Sequence, residues 1–230
     1  MRILAFSDLH GDGFLAASDL IDRHHPEWVV CCGDMLPDFN QRPANLRLLA
    51  QQEFWRDHRH LLTRQGVVST LILGNHELPG FRYPGMQSLP EGFSDKVVRL
   101  EGIPGDSGPF SFAQGMSEAE LEEELKEQLA KVANPQVFLS HAPPYGSRDL
   151  TLRGNHIGHR PLFRYLHGRE WPHSLIFCGH VHQSFGFEEV GATTILNVAT
   201  GYALVEWEET QIHVLEMARL VENPNFWDSP

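Results

Sequence analysis

A short apolar run from Leu175 to Cys178 leads through Gly179 directly into two histidines, His180 and His182. Such a run is typical of a buried strand, and the glycine at its end allows the backbone to turn sharply. In an extended chain, residues i and i+2 point to the same side, so both imidazoles can address one location just beyond the strand. This geometry suits a metal ion, although an isolated His-x-His pair is more often a surface or packing feature.

Polar side chains follow four other predicted strands in the same manner. These strands are Arg2 to Phe6, Trp28 to Cys32, Val67 to Leu73 and Gln136 to Ser140. Taken singly, an Asp-x-His or Gly-Asp pair more often ends a strand or caps a turn. Because α/β sheets bind ligands at the carboxyl ends of their strands, the set as a whole is expected to converge on one site. The side chains at the five strand ends are Asp8, His10, Asp34, Asn75, His76, His141, His180 and His182.

Amphipathic segments alternate with these strands. Helices are predicted from about Phe14 to Arg23 and from about Ala44 to Arg64. A capping box at Ser117 begins a third helix, which reaches about Val132, and a short fourth helix spans about Leu162 to His167. The predicted buried faces are Leu15, Leu20 and Ile21 in the first helix, and Leu46, Leu49, Ala50, Phe54 and Leu61 in the second, which leaves His58 and His60 in solvent.

The carboxyl-terminal part of the chain is rich in predicted strands. Strands are predicted at Val97 to Leu100, Thr193 to Val198, Tyr202 to Trp207 and Gln211 to Met217. The β-rich end, which follows alternating strands and helices, indicates a second sheet packed on the first. The segment from Leu78 to Phe112 is rich in proline and glycine and is expected to form loops over one rim of the sheet. Arg82 and Tyr83 in these loops are candidates for substrate specificity.

The composition is that of an ordinary globular protein. Of the 230 residues, 41% are hydrophobic and 21% are charged, which is compatible with a single domain. The net charge of −12 repels polyanions, so a tight, non-specific nucleic-acid binder is disfavoured. No apolar run is long enough for a signal peptide or a membrane span, so a cytoplasmic protein with no membrane partner is expected. Cys31, Cys32 and Cys178 are expected to be reduced core residues.

The candidate ligands at the strand ends are carboxylates, an amide and imidazoles, with no thiolate among them. This set suits two divalent transition-metal ions, chosen from Mn, Fe, Zn, Co and Ni, and gives calcium no reason to bind. A carboxylate at Asp34 can bridge two ions, which allows seven side chains to serve both metals. Two ions about 3.5–4 Å apart can hold a phosphoryl oxygen and lower the pKa of a shared water towards 7, so that hydroxide forms at neutral pH.

In their order along the chain, the motifs resemble those of the calcineurin-like metallophosphoesterases. They are Asp8-Leu9-His10, Gly33-Asp34, Gly74-Asn75-His76-Glu77, His141 and Gly179-His180-Val181-His182. The resemblance spans about Met1 to Met217. It implies a four-layer αββα sandwich, in which two mixed β-sheets are flanked by helices and a dinuclear metal site lies at the strand ends. It also implies one metallophosphoesterase domain over residues 1–217 and a carboxyl-terminal tail over residues 218–230.

The same resemblance implies a role for each residue of the site. One ion would be held by Asp8, His10, Asp34 and His182, and the other by Asp34, Asn75, His141 and His180. A hydroxide that bridges the ions would attack phosphorus, while Asn75 and His76 would contact the phosphate. His76 would also be the general acid that protonates the leaving oxygen, a role that suits an imidazole near its working pKa.

Within the family, the motifs are most similar to those of small metallophosphoesterase-domain proteins, some of which hydrolyse phosphodiesters. The similar segments are Ser140 to Gly146 and Gly179 to Gly186. The loop after Asp34 departs from the serine/threonine protein phosphatases, which carry an Asp three residues on and an Arg soon after. Asp38 or Glu77 is left as the partner that orients His76. A small phosphodiester is therefore the expected substrate, and nucleic acid is not.

Arg148, Arg153 and Arg160 are candidates to hold the rest of the substrate, although arginines in such segments are commonly solvated. The alternative activities are those of a phosphomonoesterase, a protein phosphatase or a nuclease of the same family. The alternative from another class is a non-catalytic binding module built on the same fold. A fold alone does not define a function, but the complete ligand set favours catalysis.

Overall fold

The structure is a computed structural model that describes residues 1–105, 115–208 and 211–221. Its strands are β1 (Arg2–Ser7), β2 (Trp28–Cys31), β3 (Val68–Leu71), β4 (Val97–Leu100), β5 (Val137–Ser140), β6 (Ser174–Cys178), β7 (Gly186–Val190), β8 (Thr193–Asn197), β9 (Gly201–Glu208) and β10 (Gln211–Arg219). Its α-helices are α1 (Phe14–His24), α2 (Ala44–His58), α3 (Glu118–Leu129) and α4 (Arg160–His167). Short 3-10 helices follow at Arg59–Leu62 and His182–Ser184.

The strands form two mixed sheets. The first has the order β10-β9-β1-β2-β3, and the second has the order β4-β5-β6-β8-β7. Strands β1, β2 and β3 are parallel, whereas β9 runs antiparallel to β1 and β10 runs antiparallel to β9. In the second sheet only β7 runs antiparallel to its neighbour. The prediction of two mixed sheets is confirmed.

Three apolar clusters hold the layers together. Helices α1 and α2 cover the outer face of the first sheet, where Phe14 and Trp55 pack with Phe6. The inner faces of the two sheets meet in a second cluster, and helices α3 and α4 cover the outer face of the second sheet. The members of the second cluster include Ile3, Ala5, Trp28, Val30, Val137, Leu139, Leu175, Phe177 and Leu196. The predicted four-layer αββα sandwich is therefore confirmed.

The membership of the second sheet differs from the prediction. The β-rich end does not form a sheet of its own, because β9 and β10 join β1 while β7 and β8 join β6. Strand pairing depends on partners far away in sequence, so an apolar run cannot specify the sheet to which it belongs. Strand β7 was not predicted, since its sequence combines a glycine with two glutamates and its Phe187 is 45% exposed at the sheet edge.

The buried faces of α1 and α2 match the predicted ones only in part. Leu20, Ile21 and Ala50 are buried as predicted, and Phe54 and Leu61 pack against the first cluster. Leu15, Leu46 and Leu49 are instead 70%, 41% and 51% exposed, and in α1 the buried face begins with Phe14 and includes Ala17. In α2 a polar residue, Gln51, is fully buried. His58 is not a solvated residue, because its ring stacks on that of Phe54 at 4.0 Å between centroids. The exposure of His60 is as predicted.

The described part of the chain contains no helix that is long and apolar enough to cross a membrane. The last strand, β10, continues past Met217 to Arg219. The predicted tail therefore begins inside a strand, and its residues 222–230 lie outside the described residues, as do residues 106–114 of the predicted loop region. The carboxyl ends of β1, β2, β3, β5 and β6 face the candidate site.

Candidate metal centre

The backbone at these strand ends is turned by residues with positive φ. Asp8, His10, Asp34 and His180 have φ values of 56°, 46°, 53° and 66°. Non-glycine residues rarely adopt this left-handed conformation, and they keep it only where the surrounding structure holds them. Four such residues at one end of the sheets therefore mark a functional site.

The glycines of the motifs let the backbone lie against the candidate ligands. A Cβ atom on Gly74 would stand 2.2 Å from Asp34 Oδ1, and one on Gly179 would stand 2.2 Å from Asp8 Oδ2. A Cβ atom on Gly33 would stand 2.7 Å from His141 Nδ1. Any side chain at these three positions would displace a carboxylate or an imidazole of the site.

The candidate ligands form two groups that could each hold a metal ion. The ligand atoms in each group lie within 4.8 Å of one another. One group consists of Asp8, His10 and His182, and the other consists of Asp34, His141 and His180. Each group contains three of the four residues in one of the ligand sets implied by the resemblance. The clusters fit a dinuclear metal site.

Side-chain contacts tie each group together. His182 Nε2 lies 3.1 Å from Asp8 Oδ1. In the second group, His141 Nε2 lies 3.1 Å from Asp34 Oδ2 and 2.8 Å from Asn75 Oδ1, so the amide oxygen of Asn75 also points into this group. The backbone N–H of His180 donates to Asp8 Oδ2 at 3.0 Å, which links the second group to the first.

The tautomer of His141 is set by a backbone contact. Its Nδ1 lies 2.6 Å from the carbonyl oxygen of Cys32, which can only accept a hydrogen bond. The Nδ1 atom must therefore carry the proton, and Nε2 faces the carboxylate and amide oxygens. Metal-binding histidines are commonly oriented in this way, with one ring nitrogen donating to a carbonyl and the other left for the metal.

His180 supplies the observation that best tests whether the site fits a metal ion. Its Nε2 atom is buried and has no hydrogen-bond partner within the described residues. A buried imidazole nitrogen without a partner is costly, and coordination to a metal ion would remove this cost. The oxygen and imidazole donors around it suit a divalent transition metal. The residues present therefore fit the metal pair that the motifs predict.

Burial and charge move the pKa values of the site in opposite directions. Burial lowers the pKa of His10 to about 4 and that of His180 to about 3, so both rings are neutral at neutral pH, as metal ligands must be. Burial would also lower the pKa of His141, but the charge of Asp34 outweighs it and raises this pKa to about 10, so a metal ion that binds Nε2 would displace a proton from that atom. Burial acts to raise the pKa of Asp8, yet the hydrogen bond with His182 helps to lower it to about 2.

His76 lies beside the two groups and is held by Asp38. Its Nδ1 atom is 2.6 Å from Asp38 Oδ1, and its backbone N–H donates to Asp34 Oδ1 at 2.7 Å. Burial acts to lower the pKa of His76, but the charge of Asp34 and the hydrogen bond with Asp38 raise it to about 9. Asp38, and not Glu77, is therefore the partner that orients this imidazole. His10, Asp38 and His76 form a third group of possible metal ligands.

Glu77 supports the loop that carries Asp34, residues 33–38, which we call the Asp34 loop. One carboxylate oxygen accepts from the N–H groups of Asp34 and Gly74 at 2.9 and 2.7 Å. The other accepts from the N–H of Met35 at 2.9 Å and from the hydroxyl of Tyr83 at 2.5 Å. Because both oxygens accept from at least two donors, Glu77 fixes the loop backbone as an ionised carboxylate.

Tyr83 does not lie exposed in a substrate loop, so that expectation is wrong. It is fully buried, and its ring packs against Trp55 and Phe81 at 4.8 and 5.0 Å between centroids. The apolar ring is drawn into the core below α2 while its hydroxyl satisfies Glu77. Arg82 is exposed, and its guanidinium donates to the carbonyl of Phe81.

Two of the three arginines proposed as substrate contacts have other partners. Arg148 donates to the carbonyl of Phe187 and lies 3.8 Å from Glu188 on β7. The guanidinium of Arg160 lies over the ring of Tyr145 at 3.8 Å, and Arg153 is exposed in a turn. Their contact with substrate stays a prediction.

The sequence analysis did not identify Gln51, a polar residue that supports the backbone of His76. Gln51 donates from Nε2 to the carbonyl of His76 at 2.8 Å, and its Oε1 accepts from the N–H of Leu78 at 2.9 Å. The side chain thus fixes the backbone on both sides of Glu77. A glutamine on a helix that is polar on most of its surface gives no signal of such a role.

A family model described as calcineurin-like phosphoesterase matches residues 1–184. The chain belongs to this family. It is consequently a metal-dependent phosphoester hydrolase, as the motifs predicted. A similar protein is the uncharacterized protein MJ1162 of Methanocaldococcus jannaschii, which is 26% identical over 208 residues that cover 86% of this chain and 87% of that protein.

Solved structures of other proteins share the fold of this calcineurin-like phosphoesterase. TT1561 of Thermus thermophilus matches with a TM-score of 0.63 at 18% identity, covering 96% of this chain and 99% of that one. A protein described as a dimetal phosphatase from Danio rerio matches with a TM-score of 0.60 at 14% identity, covering 96% and 97%. At these identities the similarity shows the fold alone.

Proposed function

We propose that this phosphoesterase hydrolyses a small phosphodiester at a dinuclear metal centre, with His76 as the general acid. The observation that carries the proposal is the place of His76, which lies next to both ligand groups and is held by Asp38 at 2.6 Å. One ion is assigned to Asp8, His10, Asp34 and His182, and the other to Asp34, Asn75, His141 and His180.

The metal ions and the side chains of the protein would have different roles in the reaction. Two divalent ions held by these ligands would activate a water molecule and hold phosphoryl oxygens. The Asp38 carboxylate accepts the Nδ1–H of His76, so the proton that the ring would give to the substrate is the one on Nε2. When the oxygen of water bonds to phosphorus it releases a proton to solvent, the bond to the leaving oxygen breaks, and His76 gives its Nε2 proton to that oxygen and is reprotonated from solvent. Gln51 holds the His76 carbonyl and so keeps the ring in place.

The charge of the site supports a diester over a monoester. Asp8, Asp34 and Asp38 lie within the ligand groups, and the chain carries a net charge of −12. A phosphodiester brings one negative charge where a monoester brings nearly two, so the diester meets less repulsion. Arg148 and Arg160, which would favour a dianion, are engaged with Glu188 and Tyr145.

A metal-reconstituted comparison of esters tests this proposal. Protein stripped with a chelator is given Mn²⁺, and kcat/KM is measured for bis-p-nitrophenyl phosphate and p-nitrophenyl phosphate, which share a leaving group. We expect no turnover without metal and a higher kcat/KM for the diester. A clear preference for the monoester would identify a phosphatase instead, and efficient cleavage of long DNA or RNA at physiological salt would identify a nuclease.

The same assay separates the enzyme from a non-catalytic binding module. A module would bind Mn²⁺ and show no turnover of any ester. The ligand set argues against this alternative, because every ligand position of the motifs is filled and the described structure brings these side chains together.

A further inference from the structure

The segment Gly179–Phe185, which we call the ligand turn, carries two of the candidate metal ligands and has little regular structure. It contains a single 3-10 turn, at His182–Ser184, and His180 has a φ of 66°. Within the turn, the N–H groups of Val181, Ser184 and Phe185 donate to the carbonyls of Gly179, Val181 and His182 at 2.7, 3.0 and 3.4 Å. These short-range bonds do not fix the turn relative to the sheets, so its position depends on contacts with its surroundings.

Side chains from two strands hold successive carbonyl groups of the ligand turn. Asn197, which is fully buried at the end of β8, donates from Nδ2 to the carbonyl of Val181 at 2.9 Å. Arg219, at the end of β10, donates from Nη2 to the carbonyl of His182 at 2.7 Å. Because β8 belongs to the second sheet and β10 to the first, both sheets hold the turn.

The guanidinium of Arg219 also connects the ligand turn to the chain beside Asp8. Its Nη1 donates to Thr200 Oγ1 at 2.5 Å, and its central carbon lies 4.7 Å from the ring of Phe185. The backbone N–H of Thr200 donates in turn to the carbonyl of Ser7 at 3.0 Å, and Ser7 precedes Asp8. One side chain therefore relates the backbone of His182 to the end of β1.

We infer that Arg219 is a positioning residue for the metal centre, and this inference rests on the proposed function. Arg219 fixes the His182 carbonyl relative to the end of β1, so that His182 Nε2 meets Asp8 Oδ1 at 3.1 Å. It touches no reacting group and acts through His182. It lies beyond residue 184, where the family match ends. The last strand of the chain is consequently part of the support of the site.

The chemistry of this position calls for arginine. A planar guanidinium can donate to a carbonyl, donate to a hydroxyl and lie against an aromatic ring at the same time. The ammonium of lysine is a compact charge that cannot reach all three partners in one geometry. A lysine at position 219 is therefore expected to keep the charge and lose part of the positioning.

The test is the affinity of the protein for Mn²⁺ in variants of Arg219. Isothermal titration of Mn²⁺ into chelator-stripped protein is compared for wild type, Arg219→Ala and Arg219→Lys. The matched control is Arg169→Ala, because Arg169 also donates to a carbonyl, that of Tyr165 at 3.4 Å, and lies over a ring at 3.9 Å. It is exposed just after α4 and has no contact with the ligand turn among its described contacts.

We expect Arg219→Ala to weaken the binding of one of the two Mn²⁺ ions by about 10–100-fold, the usual effect of removing a partner that orients a ligand. Arg219→Lys should weaken the binding of the same ion by a smaller factor. If Arg219→Ala fails to fold, the comparison is made with Arg219→Lys alone. Arg169→Ala should bind both ions as wild type does. Equal affinities in wild type and the folded Arg219 variants, or an equal loss in the control, would overturn the inference. Wild type that binds no Mn²⁺ would overturn the proposed function and the inference together.

Discussion

The Asp34 loop follows β2 of the first sheet and the ligand turn follows β6 of the second, and the two segments are held through opposite kinds of backbone group. In the Asp34 loop, backbone N–H groups donate to the carboxylate of Glu77. In the ligand turn, backbone carbonyls accept from Asn197 and Arg219. Glu77 stands two residues from Asn75 in one motif, whereas Arg219 stands 37 residues from His182 in the chain. Glu77 is thus part of a sequence motif, whereas Arg219 belongs to the last strand, β10.

The two supports also differ in burial, and this determines how strongly each region depends on its support. The Asp34 loop is fully buried around its support, so the carboxylate that holds it cannot be replaced by water. Arg219 is exposed, so water can compete for the carbonyl that it holds. We therefore expect changes in the Asp34 loop to affect folding and both ions, and changes at Arg219 to affect one ion.

The largest effect is expected at Asp34, the ligand assigned to both ions. Asp34→Asn removes the bridging carboxylate, so both ions and the activity should be lost, with kcat falling by more than about 10⁴-fold. His76→Ala is the matched change outside the ligand sets. It should keep both ions and lower kcat by about 10²–10⁴-fold, the usual contribution of a positioned proton donor. Metal analysis and kinetics on the same samples measure both quantities.

The outcome at His76 can contradict the role assignment. Because His10, Asp38 and His76 form a third group of possible ligands, loss of an ion in His76→Ala would make this histidine a ligand. Retention of both ions in Asp34→Asn would show that the Asp34 loop does not bridge the metal pair.

The next effect is expected at Glu77, the support of the Asp34 loop. Glu77→Gln places an amide N–H₂ where N–H and O–H donors already point, so at least two buried donors lose their partner. At about 1–3 kcal/mol for each unsatisfied donor, the free energy of unfolding should fall by roughly 4 kcal/mol. Urea unfolding of the metal-free protein measures this change.

Glu101→Gln is the control for the change at Glu77. Glu101 accepts from the backbone N–H of Leu73 at 3.1 Å, but it is exposed, so its substitution should alter stability by less than about 0.5 kcal/mol. Equal effects of the two substitutions would remove the distinction between the Asp34 loop and an ordinary surface loop.

The motifs could be found in the sequence because each ligand lies within four residues of the end of a buried strand. Asp8 and Asp34 follow β1 and β2, which are parallel neighbours and so end together, whereas His141 follows β5 of the second sheet. The resemblance of these motifs to a known family then implied the four layers and the set of side chains expected to converge. It also left Asp38 or Glu77 as the partner of His76, and only the packing of the Asp34 loop distinguishes them.

The supports of the ligand turn could not be found in this way. The partner of Arg219 is a backbone carbonyl, which leaves no mark in the sequence, and β10 meets the turn only through the pairing of β9 with β1. The same limit explains why β9 and β10 were placed in the wrong sheet. Leu15 was placed in the core for a different reason, because an apolar residue next to the helix start fits two rotations of the helix.

A smaller effect concerns the pH dependence of stability. It arises at His159, which is not one of the candidate metal ligands or their supports. His159 caps α4, since its Nδ1 accepts from the N–H of Leu162 at 3.1 Å, and burial lowers its pKa to about 4. The unfolded chain, with a pKa near 6.5, binds the proton first as the pH falls. This contribution to stability is thus fully present above pH 6.5 and is lost as the pH falls towards 4. The loss should amount to roughly 3 kcal/mol.

His159→Asn provides the comparison for this pH effect. Asparagine is a good helix cap that does not titrate, so the variant should lose less stability than wild type between pH 7 and pH 4. Unfolding of both proteins under the same metal conditions gives the difference, since all other groups cancel. Parallel stability curves for the two proteins would show that His159 does not titrate on unfolding.

The most direct test of the metal centre is anomalous X-ray diffraction from crystals of Mn²⁺-loaded protein. We expect two anomalous peaks. One should be contacted by Asp8, His10 and His182, and the other by Asn75, His141 and His180, with Asp34 in contact with both. A single peak, or a peak held by Asp38 and His76, would contradict this assignment.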